Sequence, residues 1–405
     1  MNDDDEMFYA HFDKVEGLLQ RGRGLGAVRA LREPQVGAGF VYDGIRRDWR
    51  WDGTDDRSLY LARLVQDLGL SAKPVVDQLR EDDEDACLRA AEVLELLAVA
   101  GSDEAREALR TYVREGRHWV AVLESFAARW PVEWWEDLGG VARARIGGEA
   151  ERPWFREPWP RFGIEVQACS YVAPPLPDAD GLSDSELLAV LADSDSSAEV
   201  RVAALRALRG REPTEALLPL VPLLGAPDGR RPLVGLRPNI DRLGVLAMSA
   251  AGGWARDERP WLSRLGADVL ADHPGPEAVP ALVQELVDQW EAQEWCGPDR
   301  TAGRLARLGP QAVDAAPYLR RFWLCTPHSY ERAAYLEALA AIAPVGLDYA
   351  YTESLWDCEE QARVLAIESA PGSAHVLGRI ATLRDDPMEA AEVRVAAEVR
   401  LSADG

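Results

Sequence analysis

Residues that could carry out chemistry are few and widely spaced in this sequence. The five histidines are His11, His118, His273, His328 and His375. No two of them have the spacing at which one helix presents two metal ligands, as in His-Glu-x-x-His. A histidine-based metal site would have to be assembled from distant segments, so the sequence predicts no metal ion and no other cofactor.

The cysteines give an equally weak signal for metal binding or catalysis. They are Cys87, Cys169, Cys296, Cys325 and Cys358. Their odd number and wide spacing, without a Cys-x-x-Cys pair, indicate neither a zinc site nor a disulfide framework. Cys325 and His328 come nearest to a nucleophile with a general base, but a helix end and its turn explain them better. The sequence also lacks a Gly-x-Ser-x-Gly motif, so no catalytic residue is predicted and a non-enzymatic role is favoured.

Two short segments share only part of the pattern of a ligand-binding loop. Gly22, Gly24 and Gly26 follow a helical pattern, without the strand or the lysine of a phosphate-binding loop, which favours a turn between helices. The acidic run 81–85 lacks the glycine and the terminal glutamate of a calcium loop. It is expected to join two helices as a solvated turn.

Tryptophan is the most informative excess in the composition, with fourteen residues. This residue is enriched at binding hot spots, although it also fills cores. Clustered tryptophans therefore supply the candidates for binding a ligand or a partner, namely Trp49, Trp51, Trp134, Trp135, Trp154 and Trp159. Trp134 and Trp135 are adjacent and cannot share one helical face, so one of them is expected to be exposed.

A basic segment from 230 to 237 stands out in an otherwise acidic chain. Arg230, Arg231 and Arg237 could bind a carboxylate or a phosphate through paired hydrogen bonds. They could instead pair with acidic residues of the protein itself, and this interpretation is favoured.

The charge of the chain bears on its partners. The 405 residues include 45 Lys and Arg against 69 Asp and Glu, a formal net charge of −24. This charge makes nucleic acid an improbable partner and favours a protein, above all a basic one. The sequence has no apolar run of about 18 residues and no signal-peptide pattern, so we expect no membrane span and a cytoplasmic protein.

Repeated helical patterns provide the elements that would position these residues. The sequence Ala-Glu-Val-Arg-Val-Ala-Ala occurs at 198–204 and again at 391–397. Arg332, Arg363 and Arg394 lie 31 residues apart, each within an amphipathic pattern. Ser102 and Pro276 have the features of helix starts. Because alternating β-type patterns joined by Asn-Gly or Asp-Gly hairpin turns are absent, the sequence predicts an all-α fold of repeated helical hairpins.

These patterns resemble HEAT-like repeats of the phycobiliprotein-lyase type. The resemblance depends on segments 199–208, 330–339 and 392–399. Segments 48–52 and 116–120 are similar to uncharacterised actinobacterial HEAT-repeat proteins. The resemblance implies an α-solenoid of degenerate helical hairpin repeats and no particular reaction, since lyase activity does not follow from the repeats.

The predicted organisation has three parts. Residues 1–150 form an N-terminal helical repeat block, 151–181 a Pro/Trp-rich ordered crossover, and 182–405 a C-terminal HEAT-like repeat array. The favoured function is a non-catalytic scaffold that binds another protein on the concave face of the solenoid. The alternatives are an immunity-type inhibitor of a basic toxin or nuclease, and an enzyme or small-ligand receptor with a Trp/Arg-lined groove. The sequence does not distinguish oligomeric states.

Overall fold

The regular secondary structure of the chain is helical. The computed structural model describes residues 9–146, 153–155, 157–165, 177 and 179–404. Within these residues the chain forms α-helices and short 3-10 helices without a β-strand, apart from one isolated bridge between Gly225 and Pro232. The predicted all-α class is confirmed. In the same residues, no helix combines the length and the apolar character needed to span a membrane.

The helices fall along the chain as follows. The first nine are α1 (Val15–Gln20), α2 (Gly24–Arg32), α3 (Pro34–Arg46), α4 (Ser58–Asp67), α5 (Lys73–Gln78), α6 (Glu84–Val99), α7 (Asp103–Glu115), α8 (Trp119–Arg129) and α9 (Gly139–Arg145). They are followed by α10 (Asp184–Ala192), α11 (Ala198–Arg209), α12 (Leu236–Leu243), α13 (Met248–Trp254), α14 (Pro260–Asp272), α15 (Val279–Glu291), α16 (Pro298–Leu308), α17 (Ala316–Cys325), α18 (Arg332–Ile342), α19 (Asp348–Ser354), α20 (Glu360–Ser369), α21 (Ala374–Asp385) and α22 (Ala391–Asp404).

Local sequence explains where several helices begin. Ser102 caps α7 by accepting a hydrogen bond from the Ala105 amide, as its position in the sequence predicts. Ser183 and Glu186 form a capping box at the start of α10. The segment Glu215–Leu223 is a 3-10 helix that contains Pro219 and Pro222, and a proline ring inside an α-helix would clash with the carbonyl four residues earlier.

The described residues group into two compact units. Unit 1 draws on 1–171, 286–302 and 314–405, and unit 2 on 172–285 and 303–313. Each unit has its own apolar core. The three predicted parts are continuous ranges of sequence, whereas the two units combine ranges that pack together in space. The two divisions describe different things, and the predicted boundaries stay a prediction. Of the predicted crossover 151–181, residues 151–152, 156, 166–176 and 178 lie outside the described residues. Cys169 is one of these residues.

Within unit 1 the first helices pack directly on the last ones. Gly22, with φ of +65°, lies between α1 and α2, and its carbonyl accepts a hydrogen bond from the Cys358 amide at 3.0 Å. A Cβ at Gly24 would lie 2.0 Å from the carbonyl oxygen of Glu353. Gly22 therefore lies in a turn between helices, as predicted, whereas Gly24 and Gly26 already belong to α2. The lack of side chains at Gly22 and Gly24 permits close contact with the chain near α19 and α20.

The 31-residue spacing of arginines has a structural counterpart in unit 1. Arg332 in α18 pairs with Asp357, which precedes α20, at 2.9 Å, and Arg363 in α20 pairs with Glu389, which precedes α22, at 2.8 Å. All four side chains are buried. Arg394, in the last helix, is exposed. Each buried arginine thus joins its helix to the turn that leads into the next helix but one.

Candidate functional site

A groove with acidic walls lies along α5 and α7 in unit 1. Glu104, Ala108, Thr111 and Glu115 follow one another at spacings of four, three and four residues, which places them on one face of α7. This face and the segment 79–82 after α5 border a cavity of about 610 Å³. We call this feature the acidic groove. Its volume is within the range of small ligand or side-chain pockets.

The lining of the acidic groove combines an apolar floor with a negatively charged rim. The floor is formed by Val76, Leu79, Ala108 and Tyr112. Five carboxylates and two guanidinium groups lie around it, belonging to Glu81, Asp82, Glu104, Glu107 and Glu115, and to Arg80 and Arg117. All seven of these side chains belong to exposed residues. The balance at the rim is therefore negative, and the carboxylates are accessible to a partner.

The floor of the groove is held in place by contacts around Tyr112. Its hydroxyl accepts a hydrogen bond from the His118 amide at 3.2 Å and lies 3.2 Å from the Cys87 sulfur. A Cβ at Gly116 would lie 2.4 Å from the Tyr112 ring. The ring is therefore fixed in position, with little freedom to lose when a partner binds.

The predicted pair Trp134 and Trp135 follows the C-terminal end of α8. Trp135 is buried, and its indole N–H donates to the Trp130 carbonyl at 3.3 Å. Trp134 is half-buried, with the Arg106 guanidinium 4.9 Å from its ring centre. Trp134 is the member of the pair with an accessible face, and a cation already covers part of it.

Trp154 and Trp159 share a single buried carboxylate. Glu124 accepts hydrogen bonds from the Trp154 and Phe155 amides at 3.1 Å and from the Trp159 indole at 2.7 Å. Trp159 is completely buried, whereas the side chain of Trp154 is 58% exposed. Trp159 therefore belongs to the core, and Trp154 is the accessible one of the two.

The predicted arginines lie in unit 2, where Arg237 is surrounded by ion-pair partners. Arg237 forms ion pairs with Asp241, Asp268 and Asp272 at 2.7, 2.7 and 3.2 Å. Arg230 and Arg231 are exposed at the edge of a cavity of about 260 Å³. The intramolecular interpretation thus holds for Arg237.

A second cavity in unit 1, of about 720 Å³, has many charged groups in its lining. Much of this charge is paired within the protein: Arg129 contacts Glu95 at 2.6 Å, and Arg363 contacts Glu389 at 2.8 Å. Groups that already satisfy one another have less to gain from a ligand. In the acidic groove, Glu81 and Glu107 also have arginine partners, Arg46 at 3.5 Å and Arg114 at 3.3 Å, but these carboxylates are exposed and such surface pairs are weak.

The predicted Trp49 and Trp51 belong to a segment organised by a buried aspartate. Asp55 is 2% exposed, and its Oδ2 accepts hydrogen bonds from the Trp51 and Asp52 amides at 2.9 and 3.2 Å. Its Oδ1 accepts from His328 Nδ1 at 2.9 Å. Asp55 thereby joins the segment before α4 to the turn after α17. Trp49 is half-buried beside this segment, with its carbonyl bonded to the Tyr9 hydroxyl.

Three side chains with metal-binding atoms meet near Asp55. The ligand atoms of Asp52, Cys296 and His328 all lie within 4.8 Å of one another. The indole N–H of Trp51 donates to the Cys296 sulfur at 3.1 Å. We call Asp52, Cys296 and His328 the triad; it is the kind of long-range assembly that the histidine spacing required.

The electrostatics of this region depend on burial and on the carboxylates. Burial lowers the pKa of His328, but the hydrogen bond and charge of Asp55 outweigh it, so the pKa lies above its usual value. Burial raises the pKa of Glu331 to about 7. Burial and the nearby carboxylates also raise the pKa of the Cys296 thiol. The shifts at His328 and Cys296 are thus both toward the protonated form of the group.

Comparison with known proteins provides no relative for this chain. No family model, no curated protein and no solved structure matches it. The sites are therefore interpreted from their own geometry.

Both the acidic groove and the triad were missed at the level of sequence. The periodicity of α7 could have revealed its accessible acidic face, and the run 81–85 lies beside it. The triad gave no such signal, because Asp52 and Cys296 are 244 residues apart and neither lies in a short motif of metal ligands.

Proposed function

We propose that this protein is a non-catalytic scaffold that binds a basic segment of another protein in the acidic groove. The observation that carries the proposal is the excess of five carboxylates over two guanidinium groups beside an apolar floor. A segment that presents one aliphatic or aromatic side chain to the floor, flanked by Lys or Arg, would match both parts of this surface.

The charge of the whole chain supports a basic partner over a nucleic acid. At a formal charge of −24 the protein repels polyanions at long range and attracts cationic surfaces. The proposal keeps the predicted HEAT-like repeats as its structural basis. The equivalent buried ion pairs that Arg332 and Arg363 form, 31 residues apart, support it. The direct packing of the first helices on the last in unit 1 departs from an open solenoid, in which each repeat contacts only its neighbours.

The thiols favour a reducing compartment for this scaffold. Among the described residues, Cys87, Cys296, Cys325 and Cys358 form no disulfide, and reduced cysteines are usual in the cytosol. We propose the cytoplasm as its location.

A defined peptide tests the proposal. Fluorescence anisotropy would measure binding of a labelled helical peptide of Leu, Lys and Arg, and of the same peptide with Glu in place of Lys and Arg. We expect the basic peptide alone to bind, and the triple variant Glu81→Gln/Glu104→Gln/Glu115→Gln to lose about tenfold or more in affinity.

A matched variant controls for net charge. Glu212, Glu215 and Glu258 are exposed residues of unit 2, and their triple change to Gln alters the total charge equally. We expect this control to bind within about twofold of the wild type. Equal losses in the two variants would mean that only overall charge matters and would refute binding in the groove.

A further inference from the structure

The triad has the composition of a site for a transition-metal ion. It offers an imidazole nitrogen, a thiol sulfur and a carboxylate oxygen within 4.8 Å of one another. Zinc in proteins takes such donors at about 2.0–2.3 Å in a tetrahedral arrangement. The three atoms come from three separate stretches of unit 1: the segment before α4, the turn before α16 and the turn after α17. A metal ion here would therefore connect distant parts of the chain.

His328 is oriented as a ligand before any metal arrives. Because the Asp55 carboxylate accepts the hydrogen bond of Nδ1, at 2.9 Å, the proton resides on Nδ1 and the lone pair of the neutral ring is on Nε2. Nε2 lies 3.7 Å from Oδ2 of Asp52. A carboxylate that holds the second nitrogen of a ligating histidine is the usual outer partner in zinc sites.

Asp52 has one oxygen committed to the protein and one directed at the histidine. Its Oδ1 accepts hydrogen bonds from the Thr54 amide at 2.7 Å and the Thr54 hydroxyl at 2.5 Å. Its backbone amide donates to Asp55 at 3.2 Å. The side chain is thus held by its own turn, and Oδ2 remains as the donor for a cation.

Cys296 is held on both sides. The Trp51 indole donates to its sulfur at 3.1 Å, a contact that stabilises a thiolate. The next amide, that of Gly297, donates to Oε1 of the buried Glu331 at 2.8 Å. The same Oε1 lies 4.0 Å from His328 Nε2, so Glu331 fixes the cysteine turn against the histidine turn.

We propose that Asp52, Cys296 and His328 bind one zinc ion through Oδ2, Sγ and Nε2. Binding releases the thiol proton of Cys296 to solvent, together with the imidazole proton on Nε2 where one is present. Small rotations of the exposed Asp52 and Cys296 side chains bring the donors to the separation of about 3.5 Å that tetrahedral zinc needs. Three protein donors leave the fourth position of a tetrahedral zinc ion for water or an incoming group.

The donors also define which cations are excluded. Thiolate and imidazole are poor ligands for Mg²⁺ and Ca²⁺, which prefer oxygen donors in larger number. This inference is independent of the proposed function, since the acidic groove lies on α5 and α7 and shares no residue with the triad.

Metal titration of the full chain tests the site. After treatment with a chelator and a thiol reductant, the protein would be titrated with Zn²⁺ against a chromophoric zinc indicator, and with Co²⁺ in the absorption spectrometer. We expect one equivalent of Zn²⁺ to bind, Co²⁺ to give a thiolate-to-cobalt charge-transfer band, and Mg²⁺ and Ca²⁺ not to compete.

Two exposed ligands allow variants that should fold. Cys296→Ser should abolish the cobalt band, and Cys296→Ser and Asp52→Asn should each weaken zinc binding by about tenfold or more. Cys325→Ser is the matched control, because Cys325 is a free thiol outside the triad, and it should keep both band and affinity. The proposal is overturned if the wild type does not bind zinc, or if Cys296→Ser binds zinc and cobalt as the wild type does.

Discussion

Arg23 and Glu353 form a buried ion pair across 330 residues of sequence. The Arg23 Nε donates to Oε1 at 2.9 Å and its Nη2 to Oε2 at 2.8 Å. A third nitrogen, Nη1, donates to the Leu324 carbonyl at 2.9 Å, and the guanidinium lies over the Trp323 ring. This pair connects α2 with α19 and is part of the junction that brings the first and last helices of unit 1 together.

Replacing Arg23 by methionine should destabilise the protein strongly, because it leaves the buried Glu353 carboxylate without its partner. We expect a loss of about 3–5 kcal/mol in the free energy of unfolding, measured by urea denaturation. The double variant Arg23→Met/Glu353→Met should recover much of this loss, since no charge is then buried alone.

The control is the pair of Arg211 and Asp184 in unit 2, at 2.7 Å, whose side chains are 26% and 52% exposed. Arg211→Met should cost less than about 1 kcal/mol. A comparable loss in the two single variants would show that burial of the Arg23 pair has no special energetic weight.

A methyl group at Gly24 should separate α2 from α19. Its Cβ would lie 2.0 Å from the Glu353 carbonyl, a backbone atom that can move only if the helices move apart. We expect Gly24→Ala to cost about 1–3 kcal/mol or more in thermal or urea unfolding. Gly39 in α3 has no atom near its Cβ position, so Gly39→Ala should stabilise by up to about 1 kcal/mol. A neutral Gly24→Ala would contradict the close approach.

The stability of unit 1 should depend on acid through Glu389. Burial acts to raise the pKa of this carboxyl, but the guanidinium groups of Arg363 and Arg63 outweigh it and hold the pKa below the usual 4.5. A carboxylate with a lowered folded-state pKa contributes stability above the unfolded-state pKa and loses it as the pH falls through the folded value. That contribution is complete above about pH 4.5 and disappears below it.

The variant Glu389→Gln isolates this contribution. At about pH 7 it should be less stable than the wild type in urea, and the difference should shrink as the pH is lowered below about 4.5. A difference that stays constant over this acidic range would show that the ionised form of Glu389 is not what stabilises the fold.

Glu124 should control the order of the segment around Trp159. Its carboxylate accepts three hydrogen bonds from that segment, so Glu124→Ala leaves these donors without an acceptor. We expect a loss of about 1–3 kcal/mol or more and a red shift of tryptophan emission as Trp159 becomes hydrated. Glu133→Ala, at an exposed position, should change neither property. Unchanged emission in Glu124→Ala would argue against this anchoring role.

Local features of this fold could be predicted from the sequence, because their causes lie within a few residues. Ser102 caps a helix, the copies of the repeated heptapeptide begin α11 and α22, and Gly22 after α1 lies in a turn. Each depends on backbone hydrogen bonds or on steric freedom that a short window of sequence specifies.

Long-range relationships could not be predicted in this way. Nothing near Arg23 indicates that Glu353 is its partner, and nothing near Asp52 indicates Cys296. The tryptophan clusters show the same limit, since Trp154 and Trp159 differ completely in burial although they are five residues apart. Which member of a cluster is accessible depends on tertiary contacts such as that with Glu124.

Hydrogen exchange of the backbone amides measures most directly where a basic segment binds. The protein would be compared with and without a saturating amount of the Leu, Lys and Arg peptide, using mass spectrometry to locate protected residues. Binding in the acidic groove predicts slower exchange in 76–82 and 104–117, with the rest of the chain unchanged. Protection confined to other residues, or no protection despite saturation, would contradict the groove as the binding surface.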